Sequence, residues 1–559
     1  MTNKGPSRAQ ISRAAIQRLY IAMRHLFIRG HYKPLGTSGE AMMEAMLALK
    51  PEIYGSIADK EKVEIGGLLY VFQRLPVGIE QCRFIKLIAK EGLETSDFKP
   101  IVPAKRRRNC YRIDEEQMYI EMTRGKSDIY DVLTHLTFLY IEAEKIRSNG
   151  MDSKNRPNRS WLQLQQIIQK IQSKKKFDHE VATTYLSVLL GRNFNETLSA
   201  VKDFDKSEGV NSLFELVYGL GKKSFEEFFD KNDREISFSS SLRERLGHHI
   251  YGELWANNIK SVLHEHGWLE SDIHVISANM HSVLNTLFAK AALGKRYVNK
   301  SLEEVATVLS SASSDKLQNT ILKYAKSHGL EQLEDASGAN ISVQIIDCGS
   351  IDNQLLPQEV KSNSDSSKHK VIIVMDYAFG EQAYEVMDEL LKPYEQNDDR
   401  LSINVVSVSI MGKAGILEGG KGDIMIPTAH IFEGSADNYP IDNKLDSEDF
   451  ENQGLGVYEG PMITVLGTSL QNKDILRYFL KSSWKAVGLE MEGAHYQKAI
   501  QAASKIRKSV SENIELSYAY YASDNPLETG STLASGSLGA DGVKPTYMIT
   551  SKILSNILS

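Results

Sequence analysis

The chain has 559 residues, of which 42% are hydrophobic and 25% charged, with a formal net charge of −6. Such a length exceeds one ordinary core and predicts two or three domains of globular type, and so mild an acidic balance argues against nucleic-acid binding as the main task. Cys82, Cys110 and Cys348 are widely separated and form no metal-ligand pattern, which fits reduced thiols, and no apolar run approaches the length of a membrane span.

The N-terminal stretch is interrupted by Arg13, Arg18 and Arg24 and lacks the apolar core and cleavage site of a secretory signal, so a cytoplasmic protein is expected. Ile11, Ala14, Ile16, Leu19 and Tyr20, then Met42, Met43, Met46 and Leu47, then Ile129, Val132, Leu133, Leu136 and Tyr140 recur at helical spacing. They predict a helical domain over 1–148. A polar stretch with Gly150, Asn155, Pro157 and Asn158 reads as a linker or long loop, and a second helical domain follows over 159–335. The cluster Lys105 to Arg108 is followed by Asp114, Glu115 and Glu116 and has no stacking aromatics beside it; it reads as solvated surface rather than a nucleic-acid site. His248, His249, His264, His266, His274 and His281 crowd one stretch, but no His-Glu-x-x-His or Cys-x-x-Cys spacing accompanies them, and no metal is assigned.

The grammar changes at Ile341-Ser-Val-Gln-Ile-Ile346, where β-branched runs begin to alternate with helical patterns. This predicts an α/β domain over 340–559, preceded by the mainly α-helical N-terminal region. Its informative segments are Val487-Gly-Leu-Glu-Met-Glu-Gly-Ala494 and Tyr521-Ala-Ser-Asp-Asn-Pro-Leu527. Upstream lie Val371 to Ala383, a strand running into Gly380; Ile403 to Ile416, a strand with a Gly-x-x-Gly turn at Gly412 and Gly415; and Gly422-Asp-Ile-Met-Ile-Pro427. Taken singly, Asp524 reads as the start of an Asx turn and Glu492 as a first-turn helix acid.

Together and in this order, these segments resemble the nucleoside phosphorylase superfamily, over roughly residues 340 to 559. Within it, the AMP nucleosidases are the most similar, through Met462 to Ser469, Asp474 to Tyr478 and Ser523-Asp-Asn-Pro-Leu527. The resemblance implies a mixed sheet flanked by helices and cleavage of the N-glycosidic bond of a purine nucleoside or nucleotide, without a cofactor. Asp524, where a strand ends, would protonate the departing base. Glu492 would accept from the ribose hydroxyls, and Met491 would pack on the ribose face. Gly380, Gly412, Lys413 and Arg477 would border the phosphate or ribose end. Glu381 and Asp376 are candidates for positioning water, against the alternative that Glu381 serves only the helix dipole.

One departure matters. Where hexameric phosphorylases place a phosphate-binding arginine, this chain has Ile410, which offers no bidentate donor. Hydrolysis is therefore expected over phosphorolysis. A phosphate-dependent purine nucleoside phosphorylase and a non-catalytic nucleotide sensor with a helical relay are the alternatives. Homo-oligomerisation is the default for such a protein.

Overall fold

The computed structural model describes residues 5–106, 108–311, 314–362, 368–396, 399–435, 437–528 and 538–559. Two compact units emerge: Met1–His248 with Ser469–Ile475, and His249–Thr468 with Leu476–Ser559. This differs from the expected division at 148 and 335.

In the first unit, the expected helices form at Arg8–Arg29, Thr37–Leu49 and Gly125–Asn149, each burying its apolar stripe. The first is fixed at both ends, by a Ser7–Gln10 capping box and by Gly30 in the left-handed region at φ 81°. The unit also holds a five-stranded sheet in the order β1-β5-β2-β4-β3. Its strands are β1 (His31–Tyr32), β2 (Phe84–Ile88), β3 (Cys110–Arg112), β4 (Gln117–Glu121) and β5 (Glu235–Phe238), with β2 parallel to β4 and β5. Strands this short leave little room for period-two alternation to show in sequence, which is why the region reads as mainly helical there.

Two further expectations change here. The polar stretch after Asn149 is a tight connection within this unit, not a domain linker. Asn158 accepts from the Trp161 N–H at the start of helix Arg159–Gln172, and its amide donates to the Asn149 carbonyl. The basic cluster is only in part solvated surface: Lys105 is exposed, but Arg106 and Arg108 are not. Arg108 is 4% exposed and lies 2.6 Å from both Asp128 and Asp131, while Arg106 pairs with Asp131 at 3.0 Å. A buried guanidinium must be paired, and these aspartates do it; Arg107 lies outside the described residues.

The second unit is an α/β layer structure. Its strands are β6 (Asp272–Ser277), β7 (Leu330–Leu333), β8 (Val343–Asp347), β9 (Lys370–Met375), β10 (Tyr394–Gln396), β11 (Asp399–Leu401), β12 (Val405–Ile416), β13 (Ile424–Phe432), β14 (Asn438–Pro440), β15 (Val457–Thr464), β16 (Gly488–Glu490) and β17 (Glu515–Asp524). All but the β10–β11 hairpin join one sheet, β14-β13-β15-β16-β12-β6-β9-β8-β7, with β17 pairing both β12 and β13. That last pairing closes a ring through β13, β15, β16, β12 and β17, from which β6, β9, β8 and β7 extend as an open wing. Runs such as Val371-Ile-Ile-Val-Met375 are apolar throughout, as strands buried on both faces must be. Ile276, Ile372, Val374, Met411, Ile424 and Ala519 pack with Ile549 and Ile553 of helix Val543–Leu558 to form the core. The fold class is thus α/β, a mixed sheet flanked by helices, preceded by a mainly helical region. The expected boundary near 335 falls inside this unit, because β6 already lies between β12 and β9. Among the described residues, no helix is long and apolar enough to cross a membrane.

Candidate active site

The long strand β12 organises the site. Along one edge it pairs with parallel β6 up to Ile410↔Ser277, then with antiparallel β16 from Gly415↔Leu489. Along the other it pairs with β17 from Ser407↔Glu515 to Gly415↔Asp524. Among the described residues, Met411 to Ala414 meet no strand on the first edge. This is a switch point, the place where open α/β sheets leave a crevice. Gly415 faces Leu489 on one side and Asp524 on the other, so with neighbouring strands about 4.8 Å apart the two motifs lie roughly 10 Å from each other across β12. The expected Gly-x-x-Gly turn is not a turn: β12 continues to Ile416 with only a register shift between Ala414 and Gly415, because β17 and β16 satisfy its backbone. Gly412 is buried beside the open edge, and Lys413 points to solvent. Ile410 is buried within the ladder, between Ser277 and Tyr518.

Asp524 ends β17 and is 1% exposed. The Ser523 hydroxyl lies 2.6 Å from its Oδ1 and 3.1 Å from the Ala414 carbonyl. With a single proton to give, Ser523 can donate to Asp524 when that carboxyl is ionised, and to Ala414 when it is protonated. Such a partner accommodates both protonation states of the carboxyl.

The two glutamates of the Glu490-Met491-Glu492 turn have opposite settings. Glu490, 4% exposed, accepts from the Thr464 hydroxyl at 2.5 Å and from the Glu492 N–H at 2.5 Å, and also from the Gly493 N–H. Burial, reinforced by the neighbouring Glu492 charge, pushes its carboxyl up to about 8 despite those donors, so it carries a proton at neutral pH. Glu492 is half-buried at the N-terminus of helix Gly493–Gln501. Its Oε1 accepts from the Gly380 N–H at 2.9 Å and its Oε2 from the Met491 N–H at 3.3 Å. Gly380 reaches that position with φ 56°, a conformation that favours glycine. Met491 is buried next to it.

Glu381 and Asp376 flank the same turn. Asp376 is half-buried just past β9 and accepts from the Tyr377 N–H at 2.8 Å. Glu381, also half-buried, stands at the N-cap position of helix Gln382–Leu390 and acts electrostatically on His495. Asp376, Gly380, Glu381, Met491 and Glu492 are thereby brought to one neighbourhood, while Arg477 is exposed on helix Lys473–Lys481. Sequence reasoning missed Glu490, Thr464 and Ser523 as partners of these groups. It also missed Tyr496, whose hydroxyl meets Ser277 at 3.0 Å and ties the helix of the Glu492 turn to the end of β6. All three residues of β16 are buried, so alternation along Gly488-Leu-Glu490 carries no signal for Glu490. The crowded histidines disperse: His274 lies in β6 against Ser407 at 2.7 Å, and His266 pairs with Glu331 at 2.6 Å. His249 comes near Asp388 and Glu389, but these acids already hold Arg507 at 2.7 Å and Lys392 at 2.6 Å.

Solved structures to which the chain is similar include futalosine hydrolase of Helicobacter pylori, 13% identical over 51% of this chain and 97% of that one, with a TM-score of 0.30. AMP nucleosidase from Bacteroides thetaiotaomicron is 14% identical over 51% of this chain and 88% of that one, with a TM-score of 0.27. Purine nucleoside phosphorylase from Toxoplasma gondii is 15% identical over 52% and 91%, with a TM-score of 0.27. No curated protein matches the chain. A family model matches residues 40–319 and 305–559, together nearly the whole sequence, and the chain belongs to that family, the Family of unknown function (DUF6909).

Proposed function

We propose that the second unit hydrolyses the N-glycosidic bond of a purine nucleoside or nucleotide, in the manner of an AMP nucleosidase. What carries this reading is Gly415, which faces the Leu489 strand leading into the Glu490–Glu492 turn on one side and Asp524 on the other, beside the open edge of β12. A ligand lying along that edge reaches one carboxyl at each end. Asp524 is the general acid: it gives its proton to the base as the carbon–nitrogen bond breaks and its electron pair leaves with the base. Glu492 accepts hydrogen bonds from the ribose hydroxyls, and Met491 packs on the sugar. Water adds to the anomeric carbon and loses a proton to Glu381 or Asp376. Gly380, Gly412 and Lys413, with Arg477, are assigned to the ribose 5′ or phosphate end. Products are the free base and ribose or ribose 5-phosphate.

Buried Ile410 presents no donor to inorganic phosphate, which favours water as the nucleophile over phosphorolysis. The test is chromatography of adenosine, inosine, guanosine and AMP incubated with the protein, with and without inorganic phosphate. Base release independent of phosphate is expected, and Asp524→Asn should lower turnover by about 10²–10⁴-fold, the usual worth of general acid catalysis. Release that requires phosphate would replace hydrolysis by phosphorolysis; unchanged turnover in the variant would remove Asp524 from its role.

A further inference from the structure

We propose that a cavity near the start of β12, away from the candidate active site, binds a small uncharged polyol of about the size of a monosaccharide. The cavity measures about 270 Å³ and is lined by the sheet and by the end of helix Val543–Leu558. Three neighbouring parallel strands supply the sheet side. Ser407 of β12 is paired with His274 of β6 on one side and with Glu515 of β17 on the other, and Ser409 is paired with Ser517. Residues two apart share a face of a sheet, so these side chains look the same way. Two residues further along that face stand Ile276, Met411 and Ala519, which belong to the apolar core. Strands buried on both faces are apolar by default, and burying polar groups without partners is costly. Yet His274, Ser407, Ser409 and Ser517 are all buried, at 2% to 7% exposed. Gly415, where the two acidic motifs meet β12, lies roughly 20 Å beyond Ser409 along the strand.

The lining selects the chemistry of the ligand. Ser407 Oγ and His274 Nδ1 meet at 2.7 Å, while His274 Nε2 is buried with no partner among the described residues. The Ser409 and Ser517 hydroxyls have none there either. Burial, reinforced by the Lys370 charge, lowers His274 to about 4, so its imidazole is uncharged at neutral pH. Lys370 itself donates to the main-chain oxygens of Ile557 and Ser559, at 2.8 and 3.1 Å. The two charged side chains of the lining, Lys444 and Glu515, are exposed and lie 3.9 Å apart, so they offset each other. An anion therefore meets no net positive charge, and a cation no net negative one. Hydroxyls both donate and accept, and suit a ligand that does the same. Ile553 and Ile557 add an apolar surface for C–H groups, and among the described residues no aromatic side chain lines the cavity, which leaves a nucleobase nothing to stack on. At about 30 Å³ per water the space equals about nine waters, enough for a ligand of about ten non-hydrogen atoms. A sugar or comparable polyol meets each of these conditions.

D-Ribose, D-glucose and glycerol serve as probes, titrated against the full chain and followed by saturation-transfer NMR. The titrations use Glu492→Ala, which removes the carboxylate assigned to ribose at the candidate active site, so that the result does not depend on the function proposed above. Saturable binding in the millimolar range is expected for at least one probe, with ribose 5-phosphate binding no tighter than ribose. Adding Ser409→Ala and Ser517→Ala should weaken that binding by about tenfold or more, the worth of two hydrogen bonds. Those two substitutions should leave the melting temperature where it was, because neither hydroxyl has a partner in the fold to lose; if the pair melts early, each single substitution carries the test. No saturable binding of any probe means a cavity that holds only water, and overturns the proposal. Binding that survives loss of both hydroxyls places the sugar elsewhere and overturns it too. Tighter binding of ribose 5-phosphate than of ribose overturns the uncharged class.

Discussion

Glu490 is a carboxyl whose chemistry departs far from its exposed form. It holds a proton at pH 7, and through its second oxygen it fixes the backbone of Glu492 and Gly493, so the Glu492 carboxylate has a neutral neighbour rather than a repelling one. This has a consequence for stability. The carboxyl titrates near 8 folded but at 4.5 when free, so between those values the folded chain binds a proton that the unfolded chain has released. Stability from this group is complete below pH 4.5 and is lost as pH rises towards 8, at up to about 1.4 kcal/mol per pH unit. Glu142 in the first unit, raised by burial to about 7, adds a slope of the same sign. His274, His430 and His495, depressed by burial to about 4, 3 and 4, act oppositely and weaken the fold only below about pH 6.5. Denaturant melts from pH 5 to 8 should therefore show Glu490→Gln declining less steeply than wild type; parallel curves would mean that Glu490 is ionised throughout.

At the scale of elements, the glycines of β12 and β16 separate packing from function. Gly488 in β16 is wedged between strands: a Cβ would lie 2.7 Å from the Gly415 carbonyl oxygen and 2.9 Å from Met462 Sδ. One of those atoms is backbone in a paired ladder and cannot give way. Gly488→Ala should destabilise the fold by about 1–3 kcal/mol, the usual range for overpacking, and lower the melting temperature by several degrees. Gly412 differs: its Cβ would make ordinary contact with Tyr377, so Gly412→Ala should melt close to wild type. If the open edge of β12 holds substrate, the same variant should lose kcat/KM for adenosine by tenfold or more; full activity would move the ligand away from this edge. Both glycines were visible in the sequence, and so were the acids of the two motifs. The reason for each glycine was not, because a Gly-x-x-Gly pattern looks alike in a turn and in a strand whose neighbours change along its length. Only the pairings of β12 with β6, β16 and β17 tell the two apart.

For the molecule as a whole, legibility followed the length and purity of apolar runs. Val371 to Met375 and Val405 to Met411 read as strands at once, and so did the Leu516 to Ala522 run that ends at Asp524. β6 did not: Asp272-Ile-His-Val-Ile-Ser277 is brief, carries a histidine and a serine, and is flanked by helices Ile250–Glu265 and Met280–Leu293. Its pairing partners lie far along the chain, at Lys370–Met375 and Val405–Ile410, so no local pattern announces them. That strand decides where the second unit begins. A fragment of residues 336–559 lacks β6 and β7, leaving β12 and β9 with facing unpaired edges and stripping Ile276, Val283, Leu287 and Phe288 from the core. Exposed edges of this kind pair with other chains and aggregate. A fragment of 249–559 keeps β6 in place and retains the whole closed ring with its wing. The longer fragment should be soluble, melt cooperatively by circular dichroism and retain base release from adenosine, while the shorter one should aggregate or show no cooperative transition. Cooperative melting of 336–559 would mean that the ring of β13, β15, β16, β12 and β17 is stable without its wing, and that the activity can be sought in a domain beginning near 340.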